Sequence, residues 1–391
     1  MDINKLKQDF LELYGSPADE PRIFFAPGRV NLIGEHTDYN GGFVLPCAIR
    51  NGTYLLIRPT TDPVVRLASA NVEFRAEIPL EELSNKVGSE WVNYPLGIFD
   101  QFRKRDIPVT GFEMLFSGDI PNGAGLSSSA SIEMVTAYAL TVMLNATQLE
   151  MLDLVKLSQR AENEFVGVNC GIMDQFAIGM GKKDHAIFLN CHTLEYKGVP
   201  LVLGGFRLII GNTNKKRGLA DSKYNERVAE CQLAVTYLSR LQPISRLGEI
   251  SFMQFFKMQE EIPDELVRRR ARHVISENQR VLNSVSALLR NDLLQFGALM
   301  NASHESLRDN YEVTGIELDT MVEEARKING VIGSRMTGAG FGGCTVSLVR
   351  EDVAERFIEQ VGREYRLKTG LQPEFYHVEV SDGTREILEL I

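Results

Sequence analysis

The sequence has few cysteines, and their spacing excludes two classes of protein. Its 391 residues include five cysteines, which are scattered and never form a Cys-x-x-Cys pair. This distribution is typical of free thiols in a reducing compartment rather than of a disulfide framework or a zinc cage. We therefore expect a cytoplasmic protein.

Long apolar runs and an excess of positive charge are also missing. No segment approaches the roughly 20 apolar residues that span a bilayer, and the first ten residues do not have the pattern of a signal peptide. The chain carries 42 Lys and Arg against 52 Asp and Glu, a net charge of −10. Neither membrane nor nucleic acid is therefore an expected partner. Any positive potential at an anion site must be local and supplied largely by backbone N–H groups.

The order of apolar patterns favours an α+β fold over a doubly wound sheet, because helices are grouped against runs of strands. Length predicts two domains, which we place at 1–195 and 196–391, with the last strand returning to pack on the first domain. Helices are expected at 128–144, 147–166, 221–238 and 264–289. Strands at 43–50 and 53–58 flank Asn51-Gly52, which predicts a hairpin because both residues tolerate the positive φ of a type I′ turn.

Residues 117–131 (SGDIPNGAGLSSSAS) form the first segment that indicates chemistry. A strand, a glycine turn, a serine cluster and a helix start follow in that order. The N-terminus of a helix favours phosphate, and a serine hydroxyl there can ligate Mg²⁺. The Gly-Lys-Ser/Thr ending of a Walker A loop is missing. The alternative is a serine N-cap after a glycine turn.

Residues 336–344 (MTGAGFGGC) satisfy the G-x-G-x-x-G pattern of dinucleotide-binding folds. However, this segment leads into a strand-like run, whereas the dinucleotide motif opens a helix. The high glycine content of this segment instead predicts that its backbone packs closely against a ligand or a neighbouring loop.

Residues 26–42 (APGRVNLIGEHTDYNGG) gather Glu35, His36 and Asp38 within four positions. Two acids and one histidine are few ligands for a metal site. Ionised carboxylates accept hydrogen bonds and so suit the hydroxyls of a polyol, while histidine can donate or accept. A solvated charged loop is the other interpretation.

Two further acids stand out. Glu162 lies near the apolar stripe of its predicted helix, where a carboxylate needs a cation or hydrogen-bond donors. Asp174 follows that helix among small and apolar residues, and the local pattern does not distinguish a helix cap from a functional carboxylate.

Together these segments resemble the galactose-handling branch of the GHMP small-molecule kinase family. The blocks at 27–40, 123–130 and 336–344 match its pattern in order, as do Cys170-Gly-Ile-Met-Asp-Gln175 and the segments around Asn212 and Tyr224. The glycine loops are shared across the family, and the first block is specific to this branch. One departure is Ala339, where glycine is common; a methyl group is tolerated if φ is negative there.

The resemblance implies a two-domain α+β fold, its first domain like ribosomal protein S5 domain 2, with the active site in the interdomain cleft. It implies transfer of phosphate from MgATP to the anomeric hydroxyl of α-D-galactose, giving galactose 1-phosphate and ADP. The expected state is a monomer or a weak homodimer.

The resemblance also assigns roles to matching positions. Asp174 is the implied base and Arg29 its electrostatic partner, which should keep the carboxylate ionised. Mg²⁺ would be ligated by Ser129 and Glu162. The sugar would contact Glu35, His36, Thr37, Asp38, Gly171, Asp174 and Tyr224. The phosphates would be held by Gly123, Ala124, Gly125, Leu126, Ser127, Ser128 and Ser129, with Trp91 and Tyr94 against the adenine.

Three other functions compete with this one. A related kinase could act on another sugar, such as N-acetylgalactosamine or arabinose. A non-catalytic sensor could bind galactose and ATP, although such relatives damage the serine loop, which is whole here. A nicotinamide oxidoreductase is suggested by the glycine pattern alone.

Overall fold

A computed structural model describes residues 2–15, 19–121, 125–215 and 220–388 of the chain. The α-helices in these ranges are α1 (Ile3–Tyr14), α2 (Asn93–Arg103), α3 (Ser128–Met143), α4 (Met151–Arg160), α5 (Met173–Met180), α6 (Ala220–Leu238), α7 (Phe252–Met258), α8 (Glu265–Leu289), α9 (Leu293–Ser306), α10 (Gly315–Arg326) and α11 (Ala354–Thr369). The strands are β1 (Arg22–Asn31), β2 (Phe43–Val44), β3 (Pro46–Thr60), β4 (Val64–Ser69), β5 (Ala76–Pro79), β6 (Gly111–Gly118), β7 (His185–Asn190), β8 (Tyr196–Pro200), β9 (Phe206–Asn212), β10 (Val331–Thr337), β11 (Cys344–Arg350), β12 (Glu374–His377) and β13 (Arg385–Glu386).

A six-stranded sheet in the order β13-β1-β3-β6-β4-β5 organises the first half of the chain. Its pairs are antiparallel except β4 with β6. Helices α2 to α5 cover one face, where their apolar side chains meet Phe24, Leu55 and Phe116. Helix α1 covers the other face with Leu6 and Phe10. Strand β13, the last strand in the described part of the chain, pairs with β1 in the first sheet.

The hairpin predicted at Asn51-Gly52 is wrong, because β3 runs unbroken from Pro46 to Thr60. Gly52 is paired with Pro27 of β1, and Thr53 with Ala26. A Cβ atom at Gly52 would lie inside contact distance of the Ala26 carbonyl and the Phe25 ring. This glycine therefore allows a close approach between strands rather than a turn.

The second half is built on a four-stranded antiparallel sheet in the order β10-β11-β9-β12. Alternate residues of β11 face opposite sides, as the pleat requires. Val346 and Leu348 pack with Phe296 of α9, while Val349 packs with Phe357 of α11. A three-stranded sheet, β2-β7-β8, accompanies the two larger ones. Strands and helices segregate as the α+β prediction requires.

The predicted helix over 147–166 is only partly right. The α-helix ends at Arg160, and a π-helical turn over Ala161–Val166 continues it, closed by Gly167 at φ +95°. Such single turns are frequent at functional sites, and this one carries Glu162. In the described ranges, no helix is both long and apolar enough to cross a membrane.

Candidate active site

Arg29 is positioned by a local irregularity in β1. The pairing of β1 with β3 shifts register between Pro27 and Gly28. A Cβ atom on Gly28 would lie 2.8 Å from the carbonyl oxygen of Leu126. The absence of a side chain lets β1 approach the loop before α3, and the Arg29 N–H donates to that same Leu126 oxygen over 3.2 Å.

The Arg29 guanidinium joins two segments that are far apart in the chain. Its Nε and Nη2 atoms donate to the two carboxylate oxygens of Asp174, each over 2.9 Å, and Nη1 donates to the Gly125 carbonyl over 2.7 Å. The Ser127 hydroxyl also donates to Asp174. Asp174 lies in the first turn of α5, and its side chain is not used as a cap. A bidentate ion pair with an added hydroxyl donor fixes the orientation of this carboxylate.

The serine segment begins α3 at Ser128, as predicted, and its loop lies against Arg29. Ser127 has the left-handed conformation, at φ +64°, immediately before the helix. Ser128 is exposed, Ser129 is half-buried, and Leu126 is buried. Gly123 and Ala124, which the family resemblance assigned to phosphate binding, lie outside the described residues.

A pair of buried acids lies beneath this helix start. Gln175 Nε2 donates to Glu162 over 2.6 Å and to Glu133 over 3.1 Å. Burial, followed by the charge of Asp174, raises the pKa of Glu162, and hydrogen bonds from Cys170, Ser129 and Gln175 partly oppose this. Burial and the neighbouring Glu162 raise the pKa of Glu133 well above its ordinary value. Two carboxyl groups therefore share a site in which neither has an ion-pair partner among the described residues.

A cavity of about 270 Å³ opens beside the Arg29–Asp174 pair. Both halves of the chain line it, because Tyr224, Gly338 and Ala339 face residues from the first half. Among the predicted site residues, its walls include Arg29, Glu35, His36, Asp38, Glu162, Gly171, Asp174 and Tyr224.

Asp38 and Gly171 lie so close that a side chain at position 171 would displace the Asp38 carboxylate. A Cβ atom at Gly171 would overlap the Asp38 carboxylate, at 1.9 Å from Oδ2. Burial raises the pKa of Asp38 to about 7, and the charge of Asp174 adds to the effect. The two aspartates therefore share one small region, with Arg29 paired to only one of them.

Glu35, in contrast, is surrounded by donors from the glycine segment. Its Oε1 atom accepts from the Gly338 N–H at 2.9 Å, the Thr337 hydroxyl at 3.1 Å and Arg335 Nη1 at 3.3 Å. Gly338 and Gly340, on either side of Ala339, have positive φ, whereas Ala339 does not. The Ala339 methyl group is therefore tolerated, because φ at this position is not positive. The 336–344 segment thus packs against another loop and leads into β11, as expected for a segment that does not open a helix.

Eight of the described residues predicted for the site do not line the cavity: the serine segment Gly125, Leu126, Ser127, Ser128 and Ser129, and also Thr37, Trp91 and Tyr94. The buried Thr37 hydroxyl contacts the carbonyl oxygens of Gly34 and Phe43, at 2.8 and 2.7 Å. Trp91 donates from Nε1 to the Phe74 carbonyl and packs edge-on against Phe116. Tyr94 is the second residue of α2, and its N–H donates to the Trp91 carbonyl over 3.2 Å. The adenine and sugar contacts assigned to these residues stay predictions.

The sequence did not single out Glu133, Gln175 or Arg335 as partners in the site. Glu133 is the one acid in the otherwise apolar and hydroxyl-bearing α3 segment 128–143. A lone carboxylate on a helix buried nearly all round was the available signal, because such a group requires buried partners.

Comparison with known proteins bears on the whole chain. Three family models match it: the galactokinase galactose-binding signature over 8–59, the GHMP kinases N terminal domain over 93–182 and the GHMP kinases C terminal over 284–367. A galactokinase of Clostridium beijerinckii is 52% identical over 388 residues, covering 98% of this chain and 99% of that protein. The chain belongs to the galactokinase family. The galactokinase of Bacillus subtilis is 48% identical, with 98% of each chain covered.

Solved structures agree with this family assignment. A crystal structure of Lactococcus lactis galactokinase complexed with galactose has a TM-score of 0.95 and 43% identity, covering 98% of this chain and all of that one. Methanococcus jannaschii mevalonate kinase, at 22% identity and a TM-score of 0.65, shares the fold. The GHMP kinase fold predicted from the sequence is confirmed.

Proposed function

We propose that this member of the galactokinase family transfers the γ-phosphoryl group of MgATP to the anomeric hydroxyl of α-D-galactose. The observation that carries the proposal is the Arg29–Asp174 ion pair, which lies between a sugar-sized cavity and the N-terminus of α3. Phosphoryl transfer requires positioning and charge stabilisation more than covalent chemistry. An oriented carboxylate between a polyol site and a phosphate site meets that requirement.

Asp174 acts on the sugar hydroxyl that is to be phosphorylated. Its two oxygens are held by Arg29 and Ser127, yet 28% of its side chain remains accessible from the cavity side. A carboxylate fixed in this way can accept a hydrogen bond from the hydroxyl and receive its proton as the bond to phosphorus forms. Arg29 compensates the charge of Asp174. As a fixed positive charge beside the reacting hydroxyl, the same arginine also offsets negative charge on the transferring phosphoryl group.

The start of α3 is the proposed phosphate site. The first N–H groups of a helix have no partner within the helix, and they favour an anion. The Gly125 carbonyl bound by Arg29 ties the loop to the catalytic pair. Ser127, assigned by resemblance to the phosphates, instead directs its hydroxyl at Asp174, so its contribution is to orient the carboxylate.

The oxygen donors near Ser129 fit Mg²⁺. The Ser129 side chain lies near enough to the buried Glu162 carboxyl group to oppose the rise in its pKa. Mg²⁺ is commonly held by one or two protein oxygens together with phosphates and water. The described residues contain no cluster of three or more His, Cys, Asp or Glu side chains able to hold a metal. When bound, Mg²⁺ would neutralise phosphate charge and supply the cation that Glu162 lacks.

The sugar is recognised by the opposite wall of the cavity. Glu35 and Asp38 supply carboxylate acceptors, and His36 and Tyr224 supply groups that can donate or accept. The rings of His36 and Tyr224 lie 5.8 Å apart. A site that pairs particular hydroxyls rejects analogues that lack them, because its buried groups are then left unpaired.

The proposal is tested by ADP release from the purified protein over a panel of galactose, N-acetylgalactosamine, arabinose and glucose, with product position read by ³¹P NMR. We expect galactose to give the highest kcat/KM and a phosphate on the anomeric oxygen. A higher kcat/KM with another sugar would overturn the substrate. Binding of galactose and ATP with no ADP release would overturn the catalytic function in favour of a sensor.

A further inference from the structure

The irregular loop at residues 32–42 carries four of the side chains that line the cavity. Glu35, His36, Asp38 and Tyr39 all belong to this loop, which connects β1 to β2 through turns and bends. A loop of this kind makes few repeating backbone hydrogen bonds, so its buried backbone groups need partners from elsewhere in the fold. The source of those partners decides how firmly the four side chains are held.

Two of these partners come from one face of α8, in the second half of the chain. Glu277 Oε1 accepts from the Gly34 N–H over 3.0 Å, and His273 Nε2 lies 3.1 Å from the Glu35 carbonyl oxygen. Because His273 and Glu277 are four positions apart on a helix, their side chains lie on the same face. Both side chains are fully buried. One turn of α8 therefore serves two adjacent residues of the loop.

The loop also packs directly against α8 at its two ends. A Cβ atom on Gly34 would lie 2.9 Å from Val281 Cγ2, and a Cβ atom on Gly42 would overlap Asn278 Oδ1. The same Asn278 oxygen accepts from the Phe43 N–H over 2.9 Å. The two glycines therefore let the loop backbone reach the helix.

The hydrogen bonds of His273 can be assigned because a carbonyl oxygen only accepts. His273 Nε2 must therefore carry the proton that is donated to the Glu35 carbonyl. Nδ1 lies 2.9 Å from the Ser306 hydroxyl, which itself accepts from Asn310 Nδ2 over 3.3 Å. Burial lowers the pKa of His273 to about 4, so the ring is neutral at pH 7 and Nδ1 accepts from the Ser306 hydroxyl. Both ring nitrogens are thereby paired.

Glu277 is the acceptor that complements this donor. Its Oε1 atom also accepts from the Ser303 hydroxyl over 2.6 Å, and its Oε2 atom accepts from Arg280 Nε. Burial alone would raise the pKa of Glu277, but the neighbouring charges, that of Arg280 first, lower it to about 2. The carboxylate is therefore ionised at neutral pH and presents a fixed acceptor to the Gly34 N–H.

We propose that His273 and Glu277 are positioning residues of the sugar site, which hold the backbone at residues 34 and 35 so that Glu35 and His36 keep their places in the cavity wall. Its consequence, tighter binding of galactose, rests on the proposed function. Neither His273 nor Glu277 lines the cavity, so both act through the loop. A positioning group that moves by about 1 Å can lose much of its effect.

The first test observes the loop backbone and requires no turnover. Hydrogen exchange is measured by mass spectrometry in the wild type, Glu277→Met and Glu277→Gln. Methionine has no acceptor for the Gly34 N–H, whereas glutamine keeps an acceptor oxygen. We expect faster exchange over residues 32–42 in Glu277→Met, with exchange in α3 unchanged, and nearly wild-type exchange in Glu277→Gln. Unchanged exchange over 32–42 in Glu277→Met, or an equal increase throughout the protein, would overturn the proposal.

The second test measures the kinetic effect of the donor. His273→Phe keeps a ring but removes the N–H that serves the Glu35 carbonyl, and His273→Gln supplies an N–H near the position of Nε2. Loss of one hydrogen bond of ordinary strength should raise the KM for galactose in His273→Phe about threefold to tenfold, with kcat and the KM for ATP changed less than about twofold. His273→Gln should recover part of that loss. If His273→Phe does not fold, Glu277→Met gives the same comparison.

A matched control separates positioning from loss of stability. Val361 of α11 is fully buried in a separate core cluster with Met321. Val361→Ala should lower the unfolding midpoint and leave the KM for galactose unchanged. A rise in that KM as large as in His273→Phe, or equal rises in the KM for galactose and for ATP in His273→Phe, would assign His273 a merely structural role and overturn the proposal. Failure of the proposed function is distinguishable, because a wild type that does not phosphorylate galactose would still give the exchange result.

Discussion

Two buried glutamates of the candidate active site, Glu35 and Glu162, are satisfied in opposite ways. At the proposed sugar end, Glu35 accepts from Arg335, Thr337 and Gly338. At the proposed metal end, Glu162 has neutral donors and a second acid, Glu133, for a neighbour. Glu35 therefore has a positive partner from the protein itself, whereas Glu162 has none among the described residues. A cation bound at Glu162 would supply the missing charge and stabilise that end of the site.

The strongest test of the comparison removes the group between the two ends. In Asp174→Asn the shape is kept, but the carboxylate that faces the reacting hydroxyl is lost. We expect galactose-dependent ADP release to fall by about 10²- to 10⁴-fold, measured with a coupled assay at saturating substrates.

The matched control for Asp174→Asn is Asp352→Asn, which breaks an exposed pair with Arg350. It should have near-normal activity. A comparable unfolding midpoint for both variants would show that the loss is chemical. Retention of more than about a tenth of wild-type turnover in Asp174→Asn would contradict the assigned role.

The sugar end can be broken by removing its buried cation. Arg335→Met leaves Glu35 buried with one charged partner fewer, and the side chain of Arg335 is fully buried. Breaking a buried pair in this way costs about 3–5 kcal/mol of unfolding free energy, which chemical denaturation measures. Arg350→Met, at an exposed pair, should cost less than about 1 kcal/mol. Equal losses of unfolding free energy in the two variants would refute the inference that Arg335 stabilises the buried Glu35 carboxylate.

A smaller effect is expected from Gly171→Ala, which forces Asp38 out of place. The added methyl group would overlap the Asp38 carboxylate. Displacement of a positioning group by about 1 Å can cost up to about a hundredfold, and we expect it mainly in the KM for galactose. Gly118→Ala is the control, since its new Cβ would have an ordinary contact of 3.6 Å. An unchanged KM in Gly171→Ala would remove Asp38 from the sugar site.

The last prediction concerns the metal end and depends on pH. The pKa of Glu133 is raised above its ordinary value of 4.5, so the folded chain keeps a proton that the unfolded chain releases as pH rises. Wild-type stability is therefore lost with rising pH, by up to about 1.4 kcal/mol per pH unit for one proton. Glu133→Gln has no titratable group at this position, so its stability does not fall with rising pH for this reason.

Denaturation of wild type and Glu133→Gln between pH 5 and 8, without Mg²⁺, checks that expectation. The free energy of unfolding of Glu133→Gln, relative to that of the wild type, should increase progressively as pH rises. A constant difference across that range would mean that Glu133 is not held protonated in the folded chain, and the metal end would then resemble the sugar end.

Much of the site could be predicted from the sequence because its parts lie in compact motifs. Asp174 and Arg29 come from two such segments, and their resemblance to one family predicted that they meet. The Glu133–Gln175 contact joins residues 42 positions apart without a shared motif. The local periodicity of a sequence predicts which face of a helix or strand a residue occupies. It does not predict which polar side chain from another segment the residue will contact.

The Asn51-Gly52 error has a related cause. The dipeptide has the local preference of a turn, yet pairing on both sides of β3 keeps the strand extended. Only the neighbouring strand β1, with Phe25 and Ala26 against the glycine, explains why a side chain is missing at Gly52. Tertiary packing therefore overrides a strong local signal.

The donors that serve Glu35 come from a segment about 300 positions further along the chain. During synthesis, the early part of the protein must wait for that late segment before its sugar-facing carboxylate can be buried without penalty. A nascent chain without its glycine segment would lack these donors, so the surroundings of Glu35 are complete only when the last part of the chain has folded.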